Sequence, residues 1–270
     1  MIYAVSDIHG YIDKFNEVMG MVNLSGNNQV VFAGDYMDLG KSSGEVLRYI
    51  YDLQKKYGEK KVIVLKGNHE AAFLEWINEF SGKRRGSSFL YDSWLRNDAE
   101  LGYKTFKSLV SKEQFKELKI IEKKASFDEI NRTAVKMIKE SFPELISWLK
   151  NLPCFYETET QIFVHAGVDE EAEDLWKWGT SEDVFMGKYP PTTGYFYKTI
   201  IAGHTRSATV AKDSEFNDIF FDGESHYFID GAVYKTGNIL LLGYDEKKNK
   251  YYQIEKDGKR EIKPYSKKRK

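Results

Sequence analysis

Five short fragments of this sequence are rich in side chains that bind divalent metals: Ser6-Asp7-Ile8-His9-Gly10, Gly34-Asp35-Tyr36-Met37-Asp38, Gly67-Asn68-His69-Glu70, His165-Ala166-Gly167 and Gly203-His204-Thr205. Together they hold three Asp, one Asn and four of the five His in the chain. One such fragment could be only a turn, since Asp, Asn and Gly are common there. Five of them, each following a short apolar run, need another reason, because sheet packing does not call for carboxylate, amide and imidazole at successive strand ends. Two metals about 3.5–4 Å apart need one bridging carboxylate, a few further ligands each, and open positions for water and substrate oxygens. Asp35 is the natural bridge. Asp7 and His9, on alternate residues of one extended segment, reach one metal together, and Asn68, His165 and His204 suit the second. This mixed nitrogen and oxygen set fits Mn2+, Fe or Zn2+ better than Mg2+ or Ca2+, which prefer oxygen alone. Metals so held make hydroxide available near neutral pH for in-line attack on phosphorus. The leaving alkoxide then needs a proton. His69 is the candidate donor, with Asp38 placed to orient its ring and favour the cation. The predicted chemistry is hydrolysis of phosphate esters.

The elements that must position these residues surround them in the sequence. Ile2 to Val5, Val30 to Ala33 and Val62 to Leu65 are apolar runs with β-branched content, as expected of strands buried on both faces. Between them, Ser42 or Ser43 caps a helix with an inward stripe of Val46, Leu47, Ile50, Leu53 or Gln54, and Tyr57. After Asn68, residues Ala72, Phe73, Trp76, Ile77 and Phe80 repeat at helical spacing. The pattern is βαβαβα with a largely parallel sheet, whose carboxyl strand ends are where sites form. From about 82 to 150 the sequence turns to charged, aromatic-punctuated helices, with 81–88 the most loop-like stretch, and predicts a helical insert or cap over the site. Strand signals return at Ile162 to Val164, Ile200 to Ala202, Tyr227 to Ile229 and Ile239 to Leu242, predicting a second sheet packed on the first. Residues 1–255 are expected to form one domain and 256–270 a basic, solvated tail.

These motifs resemble those of the metallophosphatase superfamily, specifically the calcineurin-like phosphoprotein phosphatase branch. That branch usually reads Gly-Asp-x-His-Gly, Gly-Asp-x-Val-Asp-Arg-Gly, Gly-Asn-His-Glu, His-Ala-Gly and Gly-His-Thr. The resemblance extends through Trp94-Leu95, Gly102 and Thr105, which look like a stretch of the bacterial members, and to Phe228-Ile229-Asp230-Gly231-Ala232. It implies an α/β, four-layer fold with a central β-sandwich flanked by helices. It also implies Mn2+ as the metal, the ligand roles above, and the His69–Asp38 pair. Bacterial relatives include serine/threonine protein phosphatases and symmetrical dinucleoside tetraphosphate hydrolases.

The sequence departs from the pattern at the phosphate grip. Leu39 stands where the second motif has an arginine, and Trp178 follows Leu175-Trp176-Lys177 where a second arginine is usual. Lys177 or Arg206 could replace the charge without the bidentate geometry of a guanidinium. Weak monoester affinity, or a shift toward diesters or nucleotides, is therefore expected. The leading reading is a phosphomonoesterase similar to serine/threonine protein phosphatases, acting on a phosphoprotein or small phosphoester. The rival is hydrolysis of dinucleoside tetraphosphates or other nucleotides, with Phe89, Tyr91, Trp94 and Tyr103 of the insert available to hold a base. A third, of another class, is a phosphate-binding protein that kept its metals and lost turnover.

Other classes are excluded. Forty basic and 41 acidic residues leave a net charge of −1, which gives no bulk attraction to nucleic acid or membrane. The single Cys154 rules out a disulfide framework, and Thr160 stands where a thiol phosphatase needs arginine, so Cys154 is expected in the core. Gly34 to Ser42 ends in Gly-Lys-Ser, but five residues separate its glycines where a nucleotide-binding loop has four, and Asp35 and Asp38 would repel phosphate. His226 starts an apolar run outside any such motif. No signal peptide or apolar span is evident, so the expected location is cytoplasmic.

Overall fold

The computed structural model describes residues 1–82 and 94–266. Eleven strands are β1 (Ile2–Val5), β2 (Gln29–Phe32), β3 (Val62–Val64), β4 (Phe155–Glu157), β5 (Gln161–Val164), β6 (Thr199–Arg206), β7 (Phe220–Phe221), β8 (His226–Asp230), β9 (Leu242–Asp245), β10 (Lys250–Glu255) and β11 (Gly258–Glu261). The larger helices are α1 (Ile12–Met19), α2 (Ser43–Tyr57), α3 (Asn68–Ser81), α4 (Trp94–Glu100), α5 (Lys104–Leu109), α6 (Lys112–Ile121), α7 (Phe127–Ser141) and α8 (Pro143–Lys150). One sheet runs β11-β10-β9-β1-β2-β3 and the other β4-β5-β6-β8-β7. The pairs β1 with β2, β2 with β3, β5 with β6 and β6 with β8 are parallel, and antiparallel strands close every edge but the one at β3.

Strand alternation sorts the apolar side chains into layers. In β1, Ile2 and Ala4 enter the core between the sheets with Phe163, Ile201 and Ile229, while Tyr3 and Val5 join the helices on the other face. In the second sheet Ile162, Val164, Ile200 and Ala202 point outward onto Trp176 and Phe185. Because successive strand residues face opposite sides, a strand covered on both faces must be apolar throughout, as β1 is. The outcome is a β-sandwich with helices on its flank, as the resemblance implied.

Three expectations change. First, the insert is less a cap than part of the helical layer: Leu95, Phe106, Leu109, Val135, Ile138 and Leu149 join the core that α1, α2 and α3 form on the first sheet. Its helices start where local chemistry allows. Ser111 and Gln114 form a reciprocal capping box on α6, and Pro143 begins α8 where no N–H is needed. Second, Ile239 to Leu241 lead into β9, whose pairing to β1 starts with Leu242 opposite Ala4. Third, the stretch read as a tail supplies β11, antiparallel to β10. Its basic residues find acidic partners at the sheet edge, Arg260 with Asp218 at 2.8 Å and Lys259 with Asp245 at 3.6 Å. The loop-like 83–88, together with Phe89 and Tyr91, lies outside the described residues.

Candidate metal centre

The loops after β1 and β2 are fastened to each other at the ends of their strands. Asp7 N–H donates to Gly34 O at 3.1 Å, His9 N–H to Asp35 O at 3.0 Å and Gly10 N–H to Tyr36 O at 2.9 Å. Making these bonds while turning side chains inward needs unusual backbone: Asp7, His9, Asp35, Asp38, Leu39 and His204 all have positive φ. Few non-glycine residues adopt that region, and its concentration here marks a functional constraint. Buried Glu70 stabilises the arrangement, accepting from the N–H groups of Asp35 at 2.9 Å, Tyr36 at 2.9 Å and Gly67 at 3.0 Å. Gly203 is required by close approach, since a Cβ there would lie 2.3 Å from Asp7 Oδ2.

Six predicted ligands converge. Asp35 is shared between two groups of potential ligands, one with His9 and His69, the other with His165 and His204. His165 Nε2 is 3.4 Å from Asp35 Oδ2 and 2.9 Å from Asn68 Oδ1, and His204 Nδ1 is 3.1 Å from the same amide oxygen. His9 Nε2 lies 3.8 Å from Asp35 Oδ2 and 3.9 Å from Asp7 Oδ1. The rear nitrogens decide what these atoms present. His9 Nδ1 donates to Met37 O at 2.9 Å and His165 Nδ1 to Ala33 O at 2.8 Å. A neutral ring that donates through Nδ1 carries its lone pair on Nε2. With both rings neutral, two such lone pairs face one buried carboxylate, an arrangement that repels itself unless positive charge, a proton or a metal ion, stands between. The donor set fits two divalent ions, with Asp35 common to both candidate ligand groups.

The electrostatics show the same demand for positive charge. Burial opposes a charge on His165, but Asp35 outweighs it and pushes the ring up to about 9. Desolvation, helped by the nearby His165, holds half-buried His204 down to about 4. Burial, helped by Asp35, raises Asp7 to about 6 despite the nearby His165.

His69 and Asp38 pair directly: His69 Nδ1 donates to Asp38 Oδ2 at 2.7 Å. Burial disfavours the imidazolium, yet Asp35 and then Asp38 outweigh it and push His69 up to about 10. Its Nε2 faces Asp35 Oδ2 at 3.8 Å, and the side chain is 29% exposed, so that edge is open to a ligand. The helical insert holds the other side of Asp38. Trp94 Nε1 lies 3.2 Å from both carboxylate oxygens, and Thr105 Oγ1 donates to Oδ1 at 2.9 Å. Asp98 in turn accepts from the N–H groups of Thr105 at 2.9 Å and Phe106 at 2.8 Å, fixing the start of α5. The resemblance singled out Trp94 and Thr105 without giving them this task.

Other predicted residues are not brought into the group. Lys177 pairs with Glu157 of β4, which also holds Lys198, and Trp178 is 80% exposed. Arg206 ends β6 two residues beyond His204, opposite Asp230. Trp94 and Tyr103, offered as a platform for a base, are interior: Trp94 serves Asp38, and Tyr103 OH bonds Glu122. Two residues near the proposed ligands were given no role by the sequence reading. Asp230, at the end of β8, is buried, and its carboxyl is pushed well above the usual range by burial and by Asp7. Its strand-end Asp-Gly resembles the other fragments and could have been assigned by the same rule. Tyr234, half exposed, meets the His9 ring edge-on at 6.3 Å and carries no sequence signal.

A sequence profile of calcineurin-like phosphoesterases matches residues 1–208. The chain belongs to the calcineurin-like phosphoesterase family. It is 34% identical over 73 residues to the symmetrical bis(5'-nucleosyl)-tetraphosphatase of Wigglesworthia glossinidia brevipalpis, covering 27% of this chain and 25% of that protein. It is 28% identical over 99 residues to a PP2A-like serine/threonine-protein phosphatase of Candida albicans, covering 34% of this chain and 24% of that protein. The chain thus spans about a quarter of the length of these relatives. The crystal structure of a cold-active protein-tyrosine phosphatase from a psychrophilic Shewanella shares the fold, with a TM-score of 0.57 and 15% identity over 97% of this chain and 80% of that one.

Proposed function

We propose that this chain is a two-metal phosphoesterase that hydrolyses phosphomonoesters, most similar in chemistry to serine/threonine protein phosphatases. The observation that carries the reading is Asp35, buried between His9, His69 and His165 and common to both ligand groups. Asp7 and His9 would hold one ion and Asn68, His165 and His204 the other, with Mn2+ the metal we favour and Fe or Zn2+ compatible with the donors. When bound, such ions lower the pKa of water and offset charge on the phosphoryl oxygens.

The chain's own residues supply the remaining steps. His69, held by Asp38, gives its proton to the leaving alkoxide, and Trp94 and Thr105 keep Asp38 in place. Glu70 and the paired loops hold Asp35 rigid, so little reorganisation is needed when charge develops. The His69–Asp38 pair also favours an enzyme over a phosphate-binding protein, since binding alone needs no proton donor. Free, half-buried Cys154 fits a reducing compartment such as the cytoplasm.

Similarity to a tetraphosphatase supports a second reading, hydrolysis of dinucleoside polyphosphates. The test is a matrix of metals against an aryl monoester, an aryl diester, a phosphopeptide and a dinucleoside tetraphosphate, with nucleotide products analysed. Mn2+-dependent release of p-nitrophenol from its monoester, lost in Asp35→Ala, is the expected result. Robust metal binding with no turnover of any substrate would favour the binding protein.

A further inference from the structure

Residues 166–198 leave His165 at the end of β5, cross the outer face of the second sheet and return to β6, laying Trp176, Phe185 and Phe196 on Ile162, Ile200 and Phe228. Beneath this crossover lies a cluster of charges that the proposed chemistry does not use. His226, 2% exposed at the start of β8, is its hub. Its Nδ1 faces Gly194 O at 3.0 Å and Asp222 Oδ2 at 3.1 Å, and its Nε2 faces Glu170 Oε1 at 3.4 Å. All three partners accept, so only a ring protonated on both nitrogens satisfies them. Asp222 is itself fixed by the N–H groups of Gly194 at 2.8 Å, Glu224 at 2.8 Å and Ser225 at 3.0 Å. Glu170 also takes the Lys188 ammonium. Two cations and two carboxylates balance, as buried charge requires.

The cluster grips the crossover near its start at Glu170, further along at Lys188, and near its end at Gly194. Lys188 carries the grip back toward the metal centre. Its Nζ donates to Val168 O, and its stem lies against Gly167, where a Cβ would be 2.6 Å from Lys188 Cδ. The Ala166 N–H donates to Phe185 O at 2.8 Å. Each of the three residues after His165 is therefore tied to residues 185–188. Glu70 and the paired loops hold Asp7 and Asp35 from within the centre, whereas the turn after His165 is held from this cluster.

We propose that the His226 cluster is a positioning device for His165. By clamping the crossover through Glu170 and Lys188, it sets how tightly the ion at Asn68, His165 and His204 is held, and leaves the ion at Asp7 and His9 alone. The inference rests on the two-metal reading above.

The test is calorimetric titration of metal-free full chain with Co2+, with the visible spectrum of the bound ions recorded. The wild type should bind two equivalents. Lys188→Met keeps an apolar stem against Gly167 and removes the ammonium. It should weaken one equivalent roughly tenfold, the value of one charge-assisted hydrogen bond, and shift that ion's spectrum. The other affinity should stay within about twofold. Glu170→Gln should do the same, and Lys188→Arg should restore most of the affinity. In an Asn68→Ala background, where the ion at His165 is already weakened, Lys188→Met should change nothing further. Lys250→Met, which removes a surface pair with Glu261, should leave both equivalents unchanged. Urea midpoints of the same variants separate stability from positioning. A midpoint that falls while both affinities stay at the wild-type value overturns the proposal and leaves the cluster a clamp on the fold alone. Equal weakening of both ions overturns it too, because the loss would then lie in the whole fold. Fewer than two equivalents in the wild type sinks the two-metal reading instead.

Discussion

Asp38→Asn isolates the proton-donating half of the proposed mechanism while leaving the metal ligands in place. Asp38 accepts from His69 at 2.7 Å on one oxygen and from Thr105 at 2.9 Å on the other, with Trp94 at 3.2 Å from both. The Thr105 hydroxyl can accept as well as donate, and Trp94 reaches either oxygen, so the amide can keep its oxygen on His69 and turn its NH2 to Thr105. What is lost is the negative charge behind the imidazolium. The charge-assisted bond that this weakens is worth about 1.5–3 kcal/mol. A barrier raised by that amount slows turnover roughly 10- to 100-fold.

The leaving group shows whether the loss is in proton donation. An alkyl phosphate such as phosphoserine expels an alkoxide that must be protonated, whereas p-nitrophenolate departs readily without help. Single-turnover and kcat measurements on both substrates should give a loss of roughly 10- to 100-fold for phosphoserine and a much smaller one for p-nitrophenyl phosphate. Equal losses on the two would refute the acid role of the pair. They would mean that Asp38 acts on the metal centre or on its loop.

Trp94→Phe and Thr105→Val each remove one donor from Asp38, and each should lower phosphoserine kcat up to roughly tenfold, with little change in KM. An effect on KM alone would move these residues from orienting the acid to binding substrate. Leu39→Arg should improve monoester kcat/KM relative to an aryl diester, about tenfold for a restored charged contact. An unchanged ratio would remove the basis for reading Leu39 as a loss of grip.

His226 lies outside the centre, between Asp222 at 3.1 Å and Glu170 at 3.4 Å. Burial opposes its charge, but the two carboxylates outweigh burial and push it up to about 9. A pKa raised on folding gives stability that is full below about pH 6.5 and disappears as pH rises through 9. The contribution is on the order of 3 kcal/mol at most. Urea midpoints should therefore fall between pH 6 and pH 9.5 in wild type, with a smaller fall in His226→Gln. Parallel curves for the two would show that the cluster does not set the pH dependence.

The proposed metal ligands were legible because their placement follows from strand order. A parallel strand delivers the residues after it to the sheet's carboxyl edge, and Asp7, Asp35, Asn68 and His165 were picked out by that rule, whereas His204 lies within β6 where the pairing shifts between Ala202 and Arg206. Asp230 ends β8 in the same way, but one Asp-Gly without a histidine, though part of the resemblance, carried too little chemistry to be placed in the site. The helical insert was harder to place. Its periodicity shows helices but not their neighbours, and only the folded chain puts Trp94 and Thr105 on Asp38. The last strand failed for a different reason. Lys259 and Arg260 look like a solvated run until Asp245 and Asp218 arrive from other strands and loops. Lys177 was misleading in the same way, its charge being taken by Glu157 of a neighbouring strand.

The most direct test of the dinuclear centre is the number of metals bound. Titration of metal-free chain with Mn2+, followed by calorimetry and by electron paramagnetic resonance, should show two equivalents and a spin-coupled pair. Asp35→Ala should lose the coupling and most of the affinity for both ions, because its carboxylate belongs to both ligand groups. A single equivalent in the wild type, or two coupled ions retained in Asp35→Ala, would contradict the bridge on which the mechanism depends.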